Sequence, residues 1–331
     1  MVKVYNKMYS IVVNKYGDPE VLEYIKSDAQ KVDNKSVKIK VNACGVNFAD
    51  VLTVKGRYQE RPRPPFSPGL EISGKIVSVG KDVTEHKVGD LVMSIMKYGG
   101  YKSEVVVPSE NTYKVPSNMP LDIAAGFPVT YGTAYSALVT SAKIKKGETC
   151  LILGATGGVG VAAVEIAKAL GSKVIACGGS NSKLKSCKSK GADYVVNYRE
   201  KILRNELSKL NIKEIDVVID MIGGQYALDS IKSLKWNGRF IVVGFASGNI
   251  PNIPANRLLL KNASAIGLYW GELAYREPNS IKKDFLKLEE LYEKKLLQPM
   301  NHKTFKLENA SEALRYLLER KNIGKIVLKV N

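Results

Sequence analysis

Two rhythms of hydrophobic and polar positions divide the chain. From Cys150 onward, short β-branched apolar runs return at intervals of roughly 20–25 residues, the period of a β-α unit. They are Cys150–Leu153, Lys173–Cys177, Tyr194–Tyr198, Asp216–Ile219, Phe240–Val243 and Ala265–Tyr269. Between them, apolar residues recur at helical spacing over Val159–Leu170, Lys183–Lys190, Ile202–Leu210 and Tyr226–Leu234, with Gly171, Gly191 and Gly238 placed as stops. Such alternation predicts an α/β fold with a doubly wound six-stranded parallel sheet.

Residues 1 to about 124 read differently. Short alternating strands at Ser10–Val13, Val37–Ala43, Ser73–Val79, Leu91–Met96 and Ser103–Val107 are broken by clusters of Pro and Gly at Arg61–Gly69 and Tyr98–Gly100. An irregular antiparallel β domain is expected. After the sixth apolar run, Ser280–Lys294 and Ser311–Glu319 are amphipathic helices and Lys325–Val330 is a closing strand. This tail is expected to return to the first domain, giving one domain of 1–124 completed by 271–331 and a dinucleotide-binding domain of 125–270.

The composition agrees with two soluble domains: 331 residues, 45% hydrophobic and 25% charged. The longest apolar stretch, Leu151–Leu170, is interrupted by Glu165 and Lys168 and cannot span a membrane. Met1–Val13 lacks the apolar core of a signal peptide, so a cytoplasmic location is expected. A net charge of +18 favours anionic ligands. The lysines nevertheless fall in scattered runs (143–146, 183–190, 282–287) without a nucleic-acid-binding pattern, so a solvated surface is expected and nucleic acid is not the expected partner. Four cysteines (Cys44, Cys150, Cys177, Cys187) and two histidines (His86, His302) show no metal-ligand spacing; no metal site and no disulfide are expected.

Chemistry concentrates at the ends of the predicted parallel strands. The stretch from Leu151 through Gly154, Ala155, Thr156, Gly157, Gly158, Val159 and Gly160 leads a strand through a glycine turn into a helix, where backbone amides can cradle a pyrophosphate. It departs from strict G-x-G-x-x-G at Ala155. The second strand ends in Gly178, Gly179, Ser180, Asn181, Ser182 and Lys183 without the acid that would bind the ribose 2′-hydroxyl of NAD. A hydroxyl and a cation there suit a 2′-phosphate, so the expected cofactor is NADPH. Ile222 and Gly223 after the fourth strand, and Gly244, Phe245 and Ala246 after the fifth, are expected to let the ribose and nicotinamide approach the backbone.

Six segments carry a family resemblance along nearly the whole chain: Gly45–Asp50, Gly56–Tyr58, Pro68–Glu71, Val88–Val92, Gly154–Gly160 and Gly324–Val327. In these the chain resembles the quinone oxidoreductase (zeta-crystallin-like) branch of the medium-chain dehydrogenase/reductase superfamily. The resemblance implies a GroES-like β domain, a Rossmann domain, an interdomain cleft and a homodimer. Zinc alcohol dehydrogenases of that superfamily place a ligand Cys near Asn47 and a ligand His where this chain has Leu70; both are missing, implying zinc independence. The resemblance implies a 2′-phosphate site from Ser180, Lys183 and Tyr198. It also implies a nicotinamide and substrate site at Asn47, Tyr58 and Tyr131, with Thr130, Tyr269 and Lys325 completing the expected substrate- and cofactor-binding residues. Related enoyl-thioester reductases use a tyrosine like Tyr58 as proton donor.

Three functions follow. The first is an NADPH:quinone oxidoreductase, with Asn47 and Tyr58 at the reacting end. The second is reduction of an activated C=C bond in an alkenal, enone or enoyl thioester, which needs an oxyanion donor and a proton donor. The third is a non-catalytic nucleotide- or RNA-binding protein, kept open by the basic charge.

Overall fold

The computed structural model describes residues 8–28 and 30–330. The chain forms two compact units: one takes residues up to Val129, Ala274–Lys282 and Pro299 onward, the other Thr130–Leu273 and Lys283–Gln298.

The first unit opens with a hairpin of β1 (Met8–Val13) and β2 (Leu22–Ser27). Next come β3 (Ser36–Val46), α1 (Phe48–Val54), β4 (Glu71–Val79), β5 (Leu91–Ile95), β6 (Glu104–Pro108), β7 (Thr112–Lys114) and the short α2 (Leu121–Ala124). Val37, Ile39 and Val41 alternate inward along β3 with Ile72 and Ile76 of β4, the period-two pattern of a sheet covered on one face. Each such aliphatic side chain removed from water contributes about 1.5–3 kcal/mol.

Most of helix α3 (Phe127–Tyr135) belongs to the second unit, whose parallel sheet is built from β8 (Thr149–Leu153), β9 (Lys173–Gly178), β10 (Tyr194–Asn197), β11 (Ile215–Asp220), β12 (Leu234–Val242) and β13 (Ser264–Gly267). The intervening helices are α4 (Gly158–Ala169), α5 (Asn181–Ser189), α6 (Leu203–Lys209), α7 (Gly224–Lys232) and α8 (Ala255–Leu259). The order β10-β9-β8-β11-β12-β13 is the expected doubly wound sheet. Cys150, Leu151, Ile152 and Leu153 are all fully buried, which is why β8 reads as an unbroken apolar run rather than an alternating one.

The tail comprises α9 (Trp270–Arg276), α10 (Pro278–Glu293), β14 (Asn301–Lys306), α11 (Ala310–Leu318) and β15 (Lys325–Lys329). In it, β15 pairs antiparallel with β3 and carries β14 in parallel on its other side. The tail is split between the units, however. Residues 283–298, expected with the first domain, pack on the second, where Gln298 N–H donates to Glu165 at 3.2 Å and Ser136 donates to Asp284 at 3.1 Å. Among the described residues no helix is long and apolar enough to cross a membrane.

Candidate functional site

In the second unit, the turn after β8 is shaped by backbone constraints. Gly154 has φ of 80°, and its amide and that of Ala155 both donate to Cys177 O of β9, at 3.0 and 2.9 Å. Ala155 is therefore a fully buried spacer whose N–H is already taken. Gly160 lets α4 approach the turn, since a Cβ there would lie 2.2 Å from Gly154 O. At Gly157, by contrast, the nearest atom to a Cβ is 3.6 Å away. Val161 N–H closes the first helical turn on Gly157 O at 2.9 Å, so the amides of Gly158, Val159 and Gly160 precede that bond and point along the axis, as an anion requires.

Ser180 caps α5 in extended conformation, and its hydroxyl lies 2.9 Å from that of Ser182. Lys183 follows in the first helical turn; partial burial and then the nearby Arg199 guanidinium lower its pKa. Arg199 is a cation that the sequence reading missed: its Nε lies 2.8 Å from where a Gly179 Cβ would be. Tyr198 packs against Tyr226 of α7 with centroids 4.2 Å apart and the ring planes tilted by 37°, and both line a cavity of about 230 Å³ with Leu153, Arg199 and Ile202.

The loops after β11 and β12 are tied together. Buried Asp220 accepts the amides of Ile222 and Gly223 on Oδ1 at 2.8 and 2.9 Å, and its backbone carbonyl accepts Gly244 N–H. Burial raises the Asp220 pKa against the pull of those two amides. Ala246 N–H donates to Met221 O at 2.9 Å, and Phe245 is half-buried beside it. Thr130 is buried. Tyr131, expected to line the substrate site, donates its hydroxyl to buried Glu165 at 2.6 Å, and Glu165 is also paired with Lys190 at 2.8 Å. Tyr269, expected at the substrate, lies just after β13 and is exposed.

In the first unit the structure brings Asn47 and Lys325 together. Asn47 caps α1, and its backbone amide donates to Asp50 Oδ2 at 2.8 Å. Lys325 Nζ donates to Asn47 Oδ1 at 2.6 Å and pairs with Glu71 Oε1 at 2.5 Å, while Asn47 Nδ2 donates to the same Glu71 oxygen at 2.9 Å. Tyr101 donates to Asp50 at 3.0 Å, and burial pushes the Asp50 carboxyl up to about 7. Tyr58 is half-buried in the irregular segment after α1. Lys325, expected at the cofactor, has its charge engaged by Glu71 because pairing of β15 with β3 carries it inside.

Residues 33–117 match the alcohol dehydrogenase GroES-like domain family, and residues 158–288 the zinc-binding dehydrogenase family. Quinone oxidoreductase-like protein 2 of Mus musculus is 39% identical over 301 residues, covering 90% of this chain and 86% of its own. The chain belongs to the quinone oxidoreductase-like branch of the zinc-independent medium-chain dehydrogenase/reductase superfamily. Among solved structures, Escherichia coli quinone oxidoreductase complexed with NADPH matches with a TM-score of 0.90 and 26% identity, covering 97% of this chain and 99% of that one. The CurK enoyl reductase matches with a TM-score of 0.89 and 28% identity, covering 98% and 100%. In this member of the reductase branch the zinc that one family description implies does not fit. Leu70 offers no ligand, Cys44 is a buried thiol donating to Gly100 O at 3.0 Å, and the described residues hold no cluster of three or more His, Cys, Asp or Glu suited to a metal.

Proposed function

We propose that this chain is an NADPH:quinone oxidoreductase, the cofactor bound in the second unit. The observation that carries the cofactor is the edge formed by Ser180, Lys183 and Arg199, two cations and a hydroxyl where an NAD-binding fold would carry an acid. The outward amides at the start of α4 suit the pyrophosphate, and the Tyr198–Tyr226 wall suits a flat base. When bound, NADPH supplies a hydride. Asn47 then offers a fixed amide donor to the reacting end, and Tyr58 a hydroxyl. A quinone takes up negative charge on two conjugated oxygens and needs little acid catalysis, which a site without metal or histidine can satisfy.

A second reading, reduction of a C=C bond conjugated to a carbonyl, is favoured by the likeness to the CurK enoyl reductase and by the position of Tyr58. The test is NADPH oxidation in EDTA with an ortho-quinone, a trans-2-enal and a trans-2-enoyl thioester, each with the wild-type chain and Tyr58→Phe. Turnover of the quinone that survives Tyr58→Phe within about 3-fold is expected. Preference for the alkenes, with a loss on Tyr58→Phe of about 10²-fold or more, would replace the quinone by the alkene and make Tyr58 the proton donor.

A further inference from the structure

The amide of Asn47 is gripped from both ends by opposite charges. Its oxygen accepts from the Lys325 ammonium and its nitrogen donates to the Glu71 carboxylate, at 2.6 and 2.9 Å. Turning the amide over would set N–H against ammonium and oxygen against carboxylate, in a place where water cannot relieve either contact. The relative exposures are 9% for Asn47, 6% for Lys325 and 0% for Glu71. The clamp is itself anchored. Glu71 Oε2 accepts Val129 N–H at 2.8 Å, and the Lys325 stem lies against Gly126, where a Cβ would come within 2.5 Å of Lys325 Cγ. The backbone of Asn47 is pinned separately by Asp50.

We infer that Lys325 and Glu71 are positioning residues for Asn47, holding its carboxamide in one orientation for the reaction proposed above. A buried ion pair is a poor way to stabilise a fold, because desolvation consumes most of the attraction and apolar side chains of like volume serve as well. What a charge pair provides and a leucine pair cannot is a distinction between the two ends of an amide. The ammonium also draws density from the carbonyl, which strengthens the remaining N–H of Nδ2 as a donor to an oxyanion. Lys325 accordingly contributes to the chemical step and not to holding a phosphate. This inference rests on the reading that places Asn47 at the reacting end.

Two measurements separate the inference from that reading. In the cofactor-free chain labelled with ¹⁵N-asparagine, the Asn47 side-chain amide protons are expected to be well separated in shift and slow to exchange, and Lys325→Met is expected to move them toward free-asparagine values. Side-chain amide signals unaltered by Lys325→Met overturn the inference, whatever the enzyme's activity. In turnover, Lys325→Met is expected to lower kcat by about 10²-fold, as for a misplaced catalytic group. The NADPH Kd, read by fluorescence, should stay within about 3-fold, and Lys325→Met should cost nothing further in an Asn47→Ala background. Equal losses in both backgrounds, or a weakened NADPH Kd with kcat intact, overturn it. If Asn47→Ala keeps full kcat, the placement of Asn47 fails and takes the inference with it. Should Lys325→Met unfold at assay temperature, the charge-neutral pair Lys325→Met/Glu71→Gln is expected to give the same kcat and Kd pattern.

Discussion

Lys183 and Arg199 share one task at the end of β9. A ribose 2′-phosphate would bring nearly two negative charges to them, and each charge-assisted bond is worth roughly 1.5–3 kcal/mol. Lys183→Ala and Arg199→Ala are each expected to weaken NADPH binding by about 10- to 100-fold while moving NADH by no more than about 2-fold, read by nucleotide fluorescence titration. Equal losses for both nucleotides would remove these residues from the phosphate. Ser180 and Lys183 were legible because they follow a strand end in sequence; Arg199 was not, since its approach to Gly179 depends on two strands lying side by side. Lys325 was placed at the cofactor by resemblance, and only the long-range pairing of β15 with β3 reveals it engaged with Glu71. Asp50 adds a pH dependence. Burial raises its pKa from 3.8 to about 7, so between those values the folded chain holds a proton that the unfolded chain has released. Stability from this group is therefore present at low pH and lost as pH rises through that window, at up to about 1.4 kcal/mol per unit. Thermal melts are expected to show Asp50→Asn gaining on the wild type from pH 5 to pH 7. A difference between the two that stays flat over that range would refute the assignment.

At the scale of elements, the turn between β8 and α4 separates glycines that serve the fold from those that serve a ligand. Gly160→Ala sets a Cβ against backbone at 2.2 Å, so α4 must shift outward, and a loss of about 1–3 kcal/mol in denaturant unfolding is expected. Gly157→Ala meets nothing closer than 3.6 Å, and φ of −83° suits any residue. Its unfolding midpoint should stay near that of the wild type while NADPH affinity falls about 10-fold or more, because the new methyl takes the space a phosphate needs. If both variants lose stability alike, the turn has no separate ligand-facing position. Burial on both faces makes the central strands β8, β9 and β11 apolar nearly throughout and so legible in the sequence, whereas the mostly exposed β13 is legible only from the β-α spacing. The strands β2 and β14 were not legible: Leu22–Ser27 is largely exposed, and Asn301–Lys306 buries only Phe305. An edge strand of that kind is held by backbone pairing, which leaves no hydrophobic alternation in the sequence.

At the scale of the whole molecule, the closing strand of the tail was legible in the sequence, whereas the capture of residues 283–298 by the second unit was not. That capture depends on buried Glu165 and half-buried Lys190, both of which bond Gln298 and are spaced too far along the chain to read as a pair. Among the described residues the β13 edge of the parallel sheet has no further strand. β13 pairs with β12 on one side only, its residues are mostly exposed, and the segment leading to it carries Leu259 and Leu260 at 79% and 69% exposure, with Trp236 and Ile250 also exposed. Asn237 N–H bonds Lys261 O, which brings the Trp236 strand end alongside Leu260. Free ladder groups beside that much apolar surface invite a strand of matching length, and a second copy of β13 running antiparallel would satisfy both through a two-fold axis, closing the β13 edge of each copy. We propose that the chain is a homodimer through this edge. Sedimentation velocity at micromolar concentration is expected to give twice the chain mass, and Leu259→Glu/Leu260→Glu to give a monomer whose thermal midpoint falls only by the part that association contributed. A wild-type chain that sediments as a monomer would refute the pairing, and a double variant that remains dimeric would move the interface elsewhere.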